Sequence, residues 1–226
     1  MAVSFDTSIT GQDVSGATAT KNIQFTVGNN SNRFIAIGVH AGGFEAVSTI
    51  TYGGASFSRV KQLYIVNSGA GNRFDWEVWY LKNPAIGENT LTVTMNSSTQ
   101  PFSFGANSWY NVDQTTPFSN SGSDSNTNSS PATVTVSSSA GEMINDFVAT
   151  EQGLTPNANQ TQIWKFSDTG QYITKGSSYK SSTAASMATY WTVSPVGDWG
   201  MISLSLKPSA IVSQQDNFFP LFMAGD

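Results

Sequence analysis

Apolar and polar residues alternate with a period of two along most of the chain, and Gly, Asn and Ser interrupt the alternation every 8–12 residues. This pattern is typical of half-buried β-strands joined by tight turns. It predicts strands near residues 3–9, 20–27, 33–40, 47–52, 56–66, 73–82, 90–95, 102–110, 132–137, 143–151, 161–166, 171–180, 184–194 and 199–207. Helical periodicity is nearly absent, so the sequence predicts an all-β protein.

Residues 73–81 show the alternation most clearly. One face carries Phe74, Trp76, Val78 and Tyr80, and the other carries Arg73, Asp75, Glu77 and Trp79. Such a strand has one side toward a core and one side toward water. We therefore expect Asp75 and Glu77 to be solvated, with Arg73 as their partner.

The two parts of the chain resemble each other weakly. The segments IQFTV at 23–27 and RFIAIGVH at 33–40 match ATVTV at 132–136 and MINDFVA at 143–149. Each part also has an aromatic strand closed by proline (79–84 and 190–195), and each ends on a strand (102–110 and 199–206). Two similar strand sets predict two Greek-key halves folded into one antiparallel jelly-roll β-sandwich over residues 1–208. The alternative is that any two β segments look alike.

The stretch from Ser119 to Ser130 consists almost entirely of Ser, Asn, Gly, Asp and Thr. Low-complexity polar segments of this kind are typical of flexible connections. We expect it to be a mobile crossover loop between the two halves.

Several short motifs occur together: TYGG at 51–54, WYLKNP at 79–84 with Gly87 and TLTVT at 90–94 following, NVDQTTPF at 111–118, and SLSLKP at 203–208. Together they resemble a jelly-roll domain family found in bacteriophage structural proteins and in bacterial secreted multidomain proteins. The resemblance covers roughly residues 20–208. Its motifs are turns and strand ends, so it implies a fold rather than an activity and brings no catalytic residues.

Charged residues make up 11% of the 226 positions, the net charge is −5, and there is no cysteine. The ten Lys and Arg are scattered, so we expect no nucleic-acid partner. A single histidine and no cysteine make a zinc site of ordinary ligands implausible, and we expect no metal and no cofactor. No apolar run approaches 18 residues, so we expect no membrane insertion.

The first residues lack the basic and apolar regions of a secretion signal, although the surface composition is of an extracellular type. This combination fits a virion protein that is made in the host cytoplasm and released by lysis. An extracellular protein trimmed of its signal is the alternative.

Three sets of residues are candidates for chemistry. His40 lies at a predicted strand end without a nucleophile motif, so a structural hydrogen bond is expected rather than catalysis. Asp75 and Glu77 have a spacing of about 7 Å along a strand, which suits glycoside hydrolysis, but a solvated face is the favoured interpretation. We therefore expect no enzyme activity.

Tryptophans are candidate platforms for sugar rings, because flat aromatic faces stack on pyranoses. Trp79 shares the polar face of its strand, and Trp164 and Trp199 lie at predicted strand edges. Burial in a core or at a subunit interface is the alternative for each of them.

Residues 209–226 form an extended C-terminal tail that is poor in charge and carries Phe218, Phe219, Leu221, Phe222 and Met223. Large apolar side chains on a terminus indicate docking, since undocked termini tend to be polar. The sequence thus favours a virion structural protein, such as a capsid decoration protein, minor capsid protein or fibre component. Its expected partners are other virion proteins and further copies of itself. A carbohydrate- or receptor-binding module that takes a surface glycan is the alternative.

Overall fold

Seventeen strands, all paired antiparallel, account for the regular structure, and the described residues contain no helix. The structure is a computed structural model that describes residues 1–13, 16, 18–43, 45–66, 73–97, 100–168 and 173–210. The side chains of Val66 and Arg73 lie outside this description. The all-β prediction is confirmed.

The first nine strands form two sheets. They are β1 (Ser4–Asp13), β2 (Thr20–Val27), β3 (Phe34–Gly42), β4 (Val47–Tyr52), β5 (Ala55–Ser56), β6 (Ser58–Val66), β7 (Arg73–Lys82), β8 (Gly87–Met95) and β9 (Phe102–Tyr110). The first large sheet has the order β1-β9-β3-β7-β6, and the first small sheet has the order β2-β8-β4-β5.

The remaining eight strands form two more sheets. They are β10 (Phe118–Ser129), β11 (Ala132–Ser137), β12 (Met143–Thr150), β13 (Gly153–Pro156), β14 (Thr161–Ser167), β15 (Thr174–Ser181), β16 (Ser186–Ser194) and β17 (Gly197–Leu206). The second large sheet has the order β10-β17-β12-β15-β14, and the second small sheet has the order β11-β16-β13.

The two halves of the chain have the same connectivity. In the large sheets, β1 corresponds to β10, β9 to β17, β3 to β12, β7 to β15 and β6 to β14, and the order of the strands is the same. In the small sheets, β2 corresponds to β11, β8 to β16 and β4 to β13, again in the same order. The internal resemblance of the sequence therefore marks two separate pairs of sheets, not two halves of a single sandwich as predicted.

Three apolar clusters lie between the four sheets. One fills the space between the first small and first large sheets, a second lies between the two large sheets, and a third lies between the second large and second small sheets. The layers are thus small, large, large and small. Each large sheet is covered on both faces, which explains why every residue of β3, β12 and β17 is buried.

Glycines allow the two large sheets to approach each other. Trp164 of β14 packs on Gly105 of β9, where a Cβ would lie 2.3 Å from the indole Cζ2. Ile65 of β6 packs on Gly200 of β17, where a Cβ would lie 2.2 Å from Cδ1. Since β14 corresponds to β6 and β9 to β17, the same kind of contact occurs twice, as in a symmetric dimer interface.

The low-complexity segment is a strand, contrary to the prediction of a mobile loop. Phe118–Ser129 forms β10 and pairs with β17 from Phe118↔Leu206 to Ser129↔Gly197. Its backbone hydrogen bonds stabilise it, so apolar side chains are not required. Small residues also suit its position, because a Cβ on Gly122 would lie 2.8 Å from Val134 and 3.0 Å from the carbonyl oxygen of Thr135.

Candidate functional site

The apolar tail residues Phe218, Phe219, Leu221, Phe222 and Met223 lie outside the described residues. Residues 208 and 209, at the end of the described chain, are fixed in place. Pro208 forms a β-bridge with Val112, and the Ser209 N–H donates to the carbonyl oxygen of Asn111 at 2.8 Å. The ammonium group of Met1 donates to the Ser209 carbonyl oxygen at 3.4 Å.

These contacts lie at the connection between the two halves. Val112 is completely buried in the cluster between the large sheets, together with Val3 and Leu206. The Lys207 N–H donates to the Pro117 carbonyl oxygen at 2.9 Å, and the Asp113 N–H donates to the Lys207 carbonyl oxygen at 2.9 Å. Residues 208 and 209 are therefore anchored beside the first residues of the chain.

The three candidate sugar platforms do not offer open ring faces. Trp164 and Trp199 are only 8% and 3% exposed, so the structure contradicts the expectation that they stack on a sugar. Their indole N–H groups donate to Asn107 Oδ1 at 2.7 Å and to Ser129 Oγ at 2.9 Å. Trp79 is half-buried, and the Arg59 guanidinium lies 5.7 Å from its ring centroid.

Asp75 and Glu77 are each 1% exposed, so the prediction of a solvated polar face is wrong. The first small sheet covers that face of β7. Glu77 accepts hydrogen bonds from the Val47 N–H at 2.9 Å and the Trp79 indole at 2.8 Å, and Arg59 lies 3.3 Å from it. Gln62 Nε2 donates to Asp75 Oδ2 at 2.8 Å.

Burial also changes the ionisation of Asp75. Burial, together with the adjacent Glu77, raises the pKa of Asp75 from its ordinary value of 3.8 to about 8. A pKa raised to this extent favours the protonated form of Asp75 at neutral pH, and its Oδ1 has no hydrogen-bond partner among the described residues. Glycosidases place their two carboxyl groups on either side of a substrate, whereas both of these groups are buried. The pair therefore fits a structural role better than hydrolysis.

His40 is completely buried beside the cluster between the large sheets. Its Nδ1 lies 3.8 Å from Asp168 Oδ2, and neither ring nitrogen has a hydrogen-bond partner among the described residues. The expected structural hydrogen bond is therefore not found. Burial lowers the pKa of His40 well below its usual 6.5, and nearby Lys175 lowers it further, so the ring is neutral.

A buried ion pair that the sequence analysis missed lies next to His40. Lys175 Nζ donates to Asp168 Oδ2 and, at 3.1 Å, to the Ile173 carbonyl oxygen. Burial lowers the Lys175 pKa from 10.5 to about 8, although Asp168 opposes that shift. Ser103 donates to Asp168 at 3.3 Å rather than to His40, so these residues do not form a serine–histidine nucleophile pair.

A second buried acid lies between the sheets of the second half. Asp146 accepts hydrogen bonds from the Trp191 indole at 2.8 Å, Ser178 Oγ at 2.6 Å and Gln160 Nε2 at 3.1 Å. Burial nevertheless raises its pKa from 3.8 to about 7. Each half thus contains a buried carboxyl group that accepts from a tryptophan, since Trp79 binds Glu77 in the same way.

A surface groove lies where β6, at the edge of the first large sheet, meets β10, at the edge of the second. Its volume is about 230 Å³ and it is lined by Tyr64, Ile65, Ser125, Asn126 and Thr127. The sequence analysis did not select any of these residues. We call it the Tyr64 groove.

Within the described part of the chain, no three His, Asp or Glu side chains are grouped so that they could hold a metal ion. Nor does that part contain a helix long and apolar enough to cross a membrane. Comparison with protein-family models, with curated proteins and with solved structures found no match.

Proposed function

We propose that this chain is a non-enzymatic structural protein of a bacteriophage virion, attached to neighbouring subunits by residues 209–226. The role could be capsid decoration, a minor capsid position or part of a fibre. The proposal rests on the strand order, the sparse charge and, above all, the anchoring of residues 208 and 209, which precede the apolar segment in the sequence.

The strand order supports a jelly roll in each half. With β6 set aside, the other eight strands of the first half can be numbered 1 to 8 in chain order. One sheet then holds strands 1-8-3-6 and the other 2-7-4-5. This order matches that expected of a jelly roll, an architecture that virus capsids use widely. The first half adds β6 as a further edge strand, and the second half repeats the order with a shorter small sheet.

The observation that carries the proposal is the anchoring of Ser209. Its N–H is bound by Asn111, its carbonyl oxygen is bound by the Met1 ammonium, and Pro208 pairs with Val112. A tail that starts from a rigid point loses less freedom when it docks than one that starts from a flexible stalk. Burying each of its large apolar side chains contributes about 1.5–3 kcal/mol.

The surface composition also favours docking through apolar contacts. With 11% charged residues, strong contacts of this protein are expected to be apolar and hydrogen-bonded rather than ionic. Pro220 lacks an N–H group, so an extended arm in a groove or along a sheet edge of a neighbour suits the segment better than a central strand. The neighbour is another virion protein or a further copy of this chain.

The test compares three forms of the gene in the phage: full length, a deletion of residues 211–226, and a tail of unchanged length with Phe218, Phe219 and Phe222 replaced by Ser. We expect both altered proteins to fold with the circular dichroism and melting temperature of the full chain. We also expect both to be lost from purified particles. Incorporation of the truncated protein at the full-length level, or its failure to fold, would contradict the assembly role.

A carbohydrate- or receptor-binding module is the second candidate function. Trp164 and Trp199 do not support this function, since both are buried. The observation that favours it is the Tyr64 groove.

A further inference from the structure

The Tyr64 groove combines an exposed aromatic ring with uncharged polar groups. Tyr64 is 52% exposed, one of the few large apolar side chains of the described residues that face solvent to this degree. The rest of the lining is Ile65 together with Ser125, Asn126 and Thr127, all three exposed. The groove lies between the two halves, a location where ligand sites occur preferentially.

The tyrosine is hydrogen-bonded to a half-buried glutamine that also binds a buried carboxyl group. Gln62 Nε2 donates to Tyr64 Oη at 2.9 Å and also to Asp75 Oδ2 at 2.8 Å. Asp75 is itself buried beneath the first small sheet. A surface ring that is fixed before a ligand arrives loses little freedom on binding, as rigid tyrosines in antibody combining sites do.

The opposite wall is shaped by an irregularity in β10. The pairing of β10 with β17 shifts between Asn126 and Ser129, and Asn128 has a φ of 46°. The shift is held by Asp198, which accepts the Asn128 N–H at 2.7 Å, and by Ser129, which accepts the Trp199 indole. Bulges of this kind redirect side chains and occur often beside functional sites.

The polar groups of this wall suit hydroxyl ligands. Asn126 Oδ1 accepts the Thr127 N–H at 2.8 Å, which orients the carboxamide and leaves its NH₂ group as a donor. The hydroxyls of Ser125 and Thr127 can donate or accept. Among the described residues, no charged side chain lines the groove, so its lining offers hydrogen bonds rather than a counter-charge.

We propose that the Tyr64 groove binds a neutral saccharide. The C–H face of one pyranose ring stacks on Tyr64, and its hydroxyls bind Asn126, Ser125 and Thr127. A volume of about 230 Å³ is smaller than the ~300–1,000 Å³ of most drug-sized sites, which fits a single sugar unit with the rest of the glycan in solvent. The proposal does not depend on the tail or on membership of a virion.

Saturation-transfer-difference NMR tests the proposal with the methyl glycosides of glucose, galactose, mannose and N-acetylglucosamine. A glycan array probed with the biotinylated, tetramerised protein covers longer and other sugars, since multivalent display raises weak affinities. We expect binding to at least one neutral sugar. Binding to none of the probes in either format would overturn the proposal.

Variants then locate the site. Tyr64→Ala is expected to reduce affinity at least about tenfold, and Asn126→Ala to reduce it severalfold, with melting temperatures unchanged. Tyr64→Phe keeps the ring and is expected to retain most of the affinity. Ile86→Ala, which alters another exposed apolar residue, is the matched control and should bind like the original protein. Sugar binding that survives Tyr64→Ala, or that is lost in Trp79→Ala instead, would place the site elsewhere and overturn the proposal.

Discussion

Replacing Gly105 by alanine tests the packing of the two large sheets directly. A Cβ at this position would lie 2.3 Å from Cζ2, 2.4 Å from Cε2 and 2.7 Å from Cη2 of Trp164. The indole cannot easily move, because it is buried and its N–H donates to Asn107 Oδ1 at 2.7 Å. The added methyl group must therefore push the sheets apart or break that hydrogen bond.

The expected cost follows from these contacts. Overpacking a well-filled core costs about 1–3 kcal/mol, and losing a hydrogen bond to a buried group costs about 1 kcal/mol or more. Alanine stabilises by about 0.4–1 kcal/mol through the lower entropy of the unfolded chain. We expect Gly105→Ala to lower the free energy of unfolding by about 2–3 kcal/mol.

Urea unfolding followed by tryptophan fluorescence and circular dichroism measures this change. Gly200→Ala is the matched control, because its Cβ would meet Ile65, a smaller side chain than an indole and one without a hydrogen bond to hold it in place. We expect this substitution to cost less than Gly105→Ala. Adding Trp164→Ala should remove part of the Gly105→Ala cost, so the two changes should not be additive. A cost below about 0.5 kcal/mol for Gly105→Ala, or strict additivity, would refute this description of the packing.

Two further substitutions test the ionisation of Asp75 and the packing of Trp76 in the first half of the chain. Because the native protein keeps the Asp75 proton up to a pKa of about 8 while the unfolded chain releases it near 3.8, its stability falls as pH rises through that window. Asp75→Asn removes this titration, so the unfolding free energy of the variant relative to the original protein should rise between pH 5 and pH 9. Parallel pH curves in urea unfolding would contradict the raised pKa of Asp75. Trp76→Ala should cost about 3–5 kcal/mol, since Trp76 is completely buried and donates to the Phe147 carbonyl oxygen at 3.3 Å. Half-buried Trp79→Ala should cost less, and equal costs by the same assay would mean that β7 packs differently.

Strand positions could be predicted from the sequence wherever apolar residues alternate. The predicted strands at 73–82 and 102–110 agree with β7 and β9 to the residue. β10 was missed because its side chains are small and polar, and its pairing with β17 depends on backbone groups that a sequence pattern does not report.

The burial of Glu77 was missed because the alternating pattern of β7 was interpreted as a strand with one solvent-exposed face. The sequence did contain a contrary signal in β3, whose segment FIAIGVHAG is apolar at nearly every position. A run of this kind indicates a strand covered on both faces, and β7 is its neighbour in the sheet.

The number of sheets could not be predicted from the internal resemblance. The similarity of 23–40 to 132–149 correctly matched β2 and β3 with β11 and β12. The proline-closed strands were matched wrongly, because residues 79–84 begin in β7 of a large sheet whereas 190–195 lie in β16 of a small sheet. Which strands pair is decided by long-range contacts that two similar local patterns do not distinguish.

The Tyr64 groove also depends on such contacts. It joins Tyr64 of β6 to Asn126 of β10, and these strands meet only because the two large sheets pack face to face. Neither segment carries a motif that identifies a site.

Counting this chain in purified particles tests the proposed function most directly. Quantitative mass spectrometry of virions from a phage whose genome encodes this chain, with the major capsid protein as the internal standard, gives the number of copies per particle. The proposed structural role predicts a fixed number that fits the symmetry of a capsid, tail or fibre. This number should remain after high-salt washing, because the proposed contacts of the tail are apolar. Absence of the chain from particles, or a trace amount that salt removes, would contradict the proposal.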